Sequence, residues 1–254
     1  GNDCDRSCHT GSYSNGQKER TEKIMTQFMS NSLFFGAAIS LIAYEAGLLL
    51  KRKFKMAIFN PLLIAIIAVI AVLCLLHIDY DTYNQSGQYI SYLLTPATVC
   101  LAVPLYQQME LLKKNLKAVI IGIVSGVLAS MVSVLIFAKL FGLSHSEYVT
   151  LLPKSITTAI GMGVSEELGG LVTITVAVII ITGVLGNVIA EAVLKVAKIE
   201  EPIAKGLALG TSAHAIGTSK AMELGPVEGA MSSLAIAVAG LLTVIAASVF
   251  AGFM

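Results

Sequence analysis

Ser155-Ile-Thr-Thr-Ala-Ile-Gly-Met-Gly-Val-Ser-Glu-Glu-Leu-Gly169 and Thr211-Ser-Ala-His-Ala-Ile-Gly-Thr-Ser-Lys-Ala-Met-Glu-Leu-Gly225 decide how this chain is read. They lie 56 positions apart and share Ala-Ile-Gly in the middle and Glu-Leu-Gly at the end. Both are bounded by long apolar runs, yet both hold hydroxyls, ionisable groups and glycines. Pro153 precedes the first, and proline removes a backbone donor while glycine frees the backbone. In lipid every freed N–H and C=O needs a partner, so such backbone is tolerated only inside protein or beside a cavity. Two matching interruptions of this kind are the best sequence pointer to the binding site of a secondary transporter.

Working outward, the apolar runs read as spans near 31–50, 56–77, 89–112, 118–140, 171–196 and 231–254, with Pro96 and Pro104 interrupting the third. Asp79–Gln88 reads as a polar loop. The chain has 254 residues, of which 56% are hydrophobic and only 13% charged, with a mean hydropathy of +0.80. A water-soluble domain carries about 25% charged residues. The fold class is therefore all-α: a polytopic membrane protein of about seven or eight helical segments, at least two of them discontinuous or re-entrant, with an internal repeat. Residues 1–24 read as a polar head or tag remnant without an apolar core. Residues 25–254 read as a single transmembrane domain.

Basic clusters set the orientation. Lys51-Arg52-Lys53-Phe54-Lys55 and Lys113/Lys114/Lys117 belong on the cytoplasmic side. Lys195, Lys198 and Lys205 join them only if Leu151–Gly170 dips in and returns, and the tight Gly169-Gly170 pair suits such a hairpin.

A helix beginning inside the membrane aims unpaired N–H groups and the positive end of its dipole into the cavity. Ser155, Thr157 and Thr158, with backbone near Gly161, are the donors expected from the first stretch, and Lys154 adds a full charge. Thr211, Ser212 and Thr218, with backbone near Gly217, are those of the second. His214 sits at its centre and can recognise a carboxylate through N–H and carry a proton. Glu166, Glu167 and Glu223 are further proton-coupling candidates, since charge at bilayer depth costs roughly 2.5–3.5 kcal/mol and needs a purpose. Against this stands the tendency of membrane Ser and Thr to bond back to the preceding turn. Asn187 and Glu191 lie four apart and share a helix face. The expected ligand is a small carboxylate.

The net charge of +1 and the scattered basic residues give no nucleic-acid footprint. No nucleophile-elbow, phosphate-loop or zinc-protease motif is present, so no catalytic residue, enzyme activity, cofactor or metal is expected. Cys4, Cys8 and His9 form only a weak metal-binding pattern, and Cys74 and Cys100 read as packing residues.

Leu152-Pro-Lys-Ser-Ile-Thr-Thr-Ala-Ile-Gly-Met162 and Gly206-Leu-Ala-Leu-Gly-Thr-Ser-Ala-His-Ala-Ile-Gly-Thr-Ser-Lys-Ala-Met-Glu223 resemble the signature stretches of the LrgB/CidB family. The likeness runs from about Phe28 to the C terminus. Relatives in plants act as a plastid glycolate/glycerate translocator, and some bacterial ones are linked to pyruvate uptake. The resemblance thus implies a multi-pass protein of the bacterial cell membrane that carries a small 2-hydroxy or 2-keto monocarboxylate (glycolate, glycerate, pyruvate or lactate), with proton linkage. It also carries an alternative: an antiholin-like regulator of murein hydrolase activity and lysis, acting with a small holin-like LrgA/CidA partner. Self-association into a homo-oligomer is compatible with either.

Overall fold

A computed structural model describes residues 34–54, 59–100 and 102–254. The polar head, with Cys4, Cys8 and His9, lies outside the described residues, as does Lys55. The described residues form helices and connecting turns, and they divide into two compact units, Gly1–Pro96 and Ala97–Met254.

In the first unit α1 (Phe35–Phe54) packs against both α2 (Pro61–Leu76) and α3 (Tyr80–Ser91). Asn60 caps α2, its side chain accepting from the N–H groups of Leu62 and Leu63 at 2.9 and 3.3 Å, with Pro61 in the first turn where its missing donor costs nothing. Ser86 Oγ accepts the Gly36 N–H at 2.6 Å, and Ser40 Oγ lies 2.8 Å from Tyr83 Oη. This corrects the reading of Asp79–Gln88 as a loop: its Tyr and Ser side chains give it a face that packs on α1. Cys74 and Cys100 are exposed rather than packed, because apolar runs in a membrane protein offer no pattern to tell the outward face from the inward one.

The expected third span, 89–112, is also corrected. It is a chain of short helices: the end of α3, α4 (Leu94–Cys100), α5 (Ala102–Gln107) and α6 (Met109–Lys114). Proline removes intrahelical donors at Pro96 and Pro104, so no single helix persists.

The second unit is built on three helices long and apolar enough to cross a bilayer: α7 (Leu116–Phe141), α10 (Val172–Val196) and α12 (Pro226–Ala251). Between α7 and α10 lie α8 (His145–Leu151), a non-helical turn, and α9 (Thr158–Glu167). The start and finish of this segment are joined. Ser146 Oγ donates to the Gly169 carbonyl at 3.1 Å, and the Leu171 N–H donates to Thr150 Oγ1 at 2.8 Å. Thr175 Oγ1 donates towards the Thr150 carbonyl and Ser165 Oγ. The chain therefore enters and returns on one side, as a re-entrant hairpin. Gly169, at φ +79°, takes the left-handed turn that closes it, and a side chain on Gly170 would run into Ser165 and Thr150. Ser144 and Glu147 form a capping box at its head.

The second interrupted stretch lies in α11 (Pro202–Leu224), which leaves helical geometry at Ala213 (φ −129°, ψ 16°) and His214 (φ 42°, ψ −136°). The break is a reversal. In a continuous helix residues eight apart are about 12 Å apart, yet Gly217 lies directly against the Leu209 carbonyl and Ala213. Leu209 and Ala221 share one buried cluster with Ala190 and Leu194, and Ile199 and Leu224 both pack against it. Residues 202–212 and 215–224 are thus two arms of a second hairpin.

The two hairpins enter from opposite ends of the unit. His145 Nδ1 meets the Met254 carbonyl at 2.8 Å, and Tyr148 donates to the Phe250 carbonyl at 3.0 Å, so the first hairpin opens beside the C-terminal ends of α7 and α12. The second opens beside the end of α10 and the start of α12, where Gly206 abuts Glu228 and Met231. Shifting α7 by the 56-residue offset lays it on 172–197, almost α10 itself. The two copies run in opposite directions, so the repeat is inverted. The end holding Lys113, Lys114, Lys117, Lys195, Lys198 and Lys205 is the cytoplasmic one by charge, whereas the first hairpin's end carries Glu147, Glu166 and Glu167, with Lys139 in the last turn of α7.

Candidate functional site

The hairpin tips meet on α7. Ser155 Oγ, in the turn of the first hairpin, lies 3.0 Å from Ser130 Oγ. Ser130 is eleven residues, about 17 Å, from the end of α7 at Phe141, near mid-depth. One turn away, Gly126 leaves just enough room for Thr211 of the second hairpin: a Cβ there would stand 2.8 Å from Thr211 Oγ1. On α10, Gly161 of the first hairpin packs against Ile179, while His214 Nε2–H donates to the Ile179 carbonyl at 3.0 Å and its ring covers Gly183.

Beside the tips lies a cavity of about 1250 Å³. Its walls are α7 (Gly122, Ser130) and α10 (Thr182, Gly186), its floor the first arm of the second hairpin (Ala208, Thr211, Ser212), and its inner end Lys154 and Ser155. Asn115 and Glu201 line its opposite end, so it extends from the lysine-rich side to the tips. Lys154 Nζ donates to Ser155 Oγ at 3.1 Å.

Of the expected donors, Ser155, Thr211 and Ser212 line this cavity. Thr211 and Ser212 have spent their protons on backbone, donating to the Leu207 and Ala208 carbonyls at 2.8 and 2.6 Å. They face the cavity as acceptors only. Thr218 donates back to the His214 carbonyl and pairs with Ser232 Oγ at 2.7 Å, away from the cavity walls. Thr157 is the N-cap residue of α9, without a side-chain capping bond, and Thr158 opens that helix, both partly buried. Gly161 and Gly217 serve close packing. His214 is buried and satisfied by Ile179. Glu166 and Glu167 are exposed at the end of α9. Glu223 is bound to Lys220, which also holds Glu191 at 2.5 Å, while Asn187 donates to the Ile216 carbonyl at 2.8 Å. The shared face of Asn187 and Glu191 therefore clamps the returning arm of the second hairpin.

Ser130 and Thr182 were not among the expected residues. Nothing local marks them: each is one hydroxyl in an apolar span, and only the long-range arrival of the tips gives it meaning.

The sequence profile of the LrgB-like family matches residues 40–253. The chain belongs to that family. Among LrgB relatives, the antiholin-like protein LrgB of Bacillus mycoides (strain KBAB4) is 40% identical over 222 residues, covering 87% of this chain and 96% of the relative. The protein of the same name from Bacillus cereus (strain B4264) is 39% identical over the same coverage. No solved structure matches. Membership and the three long apolar helices make this a multi-pass membrane protein.

Proposed function

We propose that this LrgB-family protein is a secondary carrier of small 2-hydroxy or 2-keto monocarboxylates. The observation that supports it is the meeting of two oppositely inserted hairpins at adjacent turns of α7, beside a cavity lined from the lysine-rich end to the tips. Inverted repeats with interrupted helices at mid-depth can expose one site to either side in turn. Ser155 with the first-turn backbone of α9 near Thr157 and Thr158 holds the carboxylate; Thr211 and Ser212 accept from a substrate hydroxyl; Gly161, Gly217 and Thr218 hold the tips in shape. Proton linkage falls to His214, the one coupling candidate at the tips, with Glu166, Glu167 and Glu223 at the hairpin mouths as relays to water.

The test is uptake of radiolabelled glycolate, lactate and pyruvate into proteoliposomes of the purified chain, with and without an imposed pH gradient. Saturable uptake enhanced by an inward proton gradient is expected. No uptake of any acid by folded protein removes the carrier.

The relatives' names favour a second reading more directly than the first: an antiholin-like regulator acting with a small holin-like partner. That reading predicts altered lysis or dye leakage on co-reconstitution with the partner and no saturable uptake. Both readings make the chain a carrier or a regulator.

A further inference from the structure

We infer that Lys154 is the anion anchor of this cavity and that its single charge restricts the cargo to monoanions. The inference rests on the carrier reading and adds the residue and the charge rule. Lys154 sits at the first hairpin's tip, beside Ser130 near mid-depth. Its polar neighbour among the described residues is the neutral Ser155 hydroxyl. Among the described residues no carboxylate lies within ion-pair distance of Lys154. Among the described residues the one acid lining the cavity is Glu201, at the head of α11, one hairpin arm or about 16 Å from Ser212. An ammonium in this setting lacks the partner that a charge at membrane depth requires. The cavity leads straight to it, so the partner is one that arrives from solution.

The hydroxyl protons fit the same conclusion. Lys154 donates to Ser155, and of the two protons of the Ser130–Ser155 pair one joins them and one is left over. The site therefore offers an ammonium and one spare O–H, a match for the two oxygens of a single carboxylate. A second carboxylate on the same molecule would find no second cation, only the acceptor oxygens of Thr211 and Ser212. A neutral amide would leave the ammonium uncompensated.

The experiment measures ligand binding by thermal shift and by competition for glycolate uptake. The probes are sodium glycolate, lactate, malonate and glycolamide, used with wild type, Lys154→Gln and Lys154→Arg. Wild type is expected to bind glycolate and lactate roughly tenfold to a hundredfold more tightly than malonate dianion or glycolamide. Lys154→Gln loses binding by a similar factor, and Lys154→Arg restores most of it. The wild-type selectivity stands even if a variant fails to fold. Equal binding of monoanion, dianion and amide by wild type, or unchanged glycolate binding by folded Lys154→Gln, overturns the anchor while leaving the carrier intact. Absence of binding and uptake with every probe overturns both.

Discussion

The reversal at His214 makes a sharp prediction about two substitutions that differ by one methyl group. In a continuous helix alanine is favoured over glycine by about 1 kcal/mol. At φ 42° and ψ −136° the order inverts, because a Cβ in the left-handed half of the map meets backbone carbonyl oxygen, at about 1–2 kcal/mol. His214→Ala and His214→Gly both lose the imidazole and its bond to Ile179, so that loss cancels between them. What remains is the backbone preference. If residues 202–224 form a hairpin, His214→Gly is more stable than His214→Ala by about 1–2 kcal/mol; if they form one helix, it is less stable by about 1. The two cases differ by about 2–3 kcal/mol, several degrees in melting temperature for a chain of this size. Thermal unfolding of both purified variants in the same detergent reads the sign. An alanine variant at or above the glycine variant refutes the reversal.

Gly126→Val places methyl groups where Thr211 sits and should cost about 1–3 kcal/mol of stability, with loss of uptake, whereas Gly163→Ala, where a Cβ meets open space, should be silent in both assays. Thr211→Val removes an acceptor from the cavity; competition assays should show glycolate and lactate weakened against pyruvate, which has no hydroxyl to donate. The Ser144 N–H and then the Ser144 hydroxyl hold the Glu147 carboxyl below its ordinary value. The folded pKa is depressed, so this contribution is complete above the ordinary carboxylate range and lost as pH falls through the lowered value. Amide exchange at the head of α8 should accelerate over that acid range in wild type and show no such step in Glu147→Gln.

Much of this architecture is written locally. The Gly169-Gly170 pair announces a turn that only glycine closes without strain, and the lysine loop at 195–205 falls on the basic side only if the preceding segment turns back. The 56-residue offset, visible as Ala-Ile-Gly and Glu-Leu-Gly, proves to relate whole helices. The site was less legible because a hydroxyl's partner is set by the fold. Thr211, Ser212 and Thr218 each find a carbonyl one turn back in their own arm, so their protons never reach the cavity. Ser130 has no signal in its own span, and His214, which reads as a carboxylate-recognition group, is turned onto α10 by the very backbone conformation that makes the tip. The helix at 80–91 was missed because its packing face is made of Tyr and Ser, which carry no apolar period.

The most direct test of the opposed hairpins is sided labelling of single cysteines, in a background lacking Cys4, Cys8, Cys74 and Cys100, with a membrane-impermeant maleimide on intact cells and inverted vesicles. His145→Cys and Glu167→Cys should label from one face, and Glu201→Cys and Glu223→Cys from the other. If His145→Cys and Glu167→Cys label from opposite faces, the first segment crosses the membrane, the repeat is not inverted, and the two tips cannot share a site.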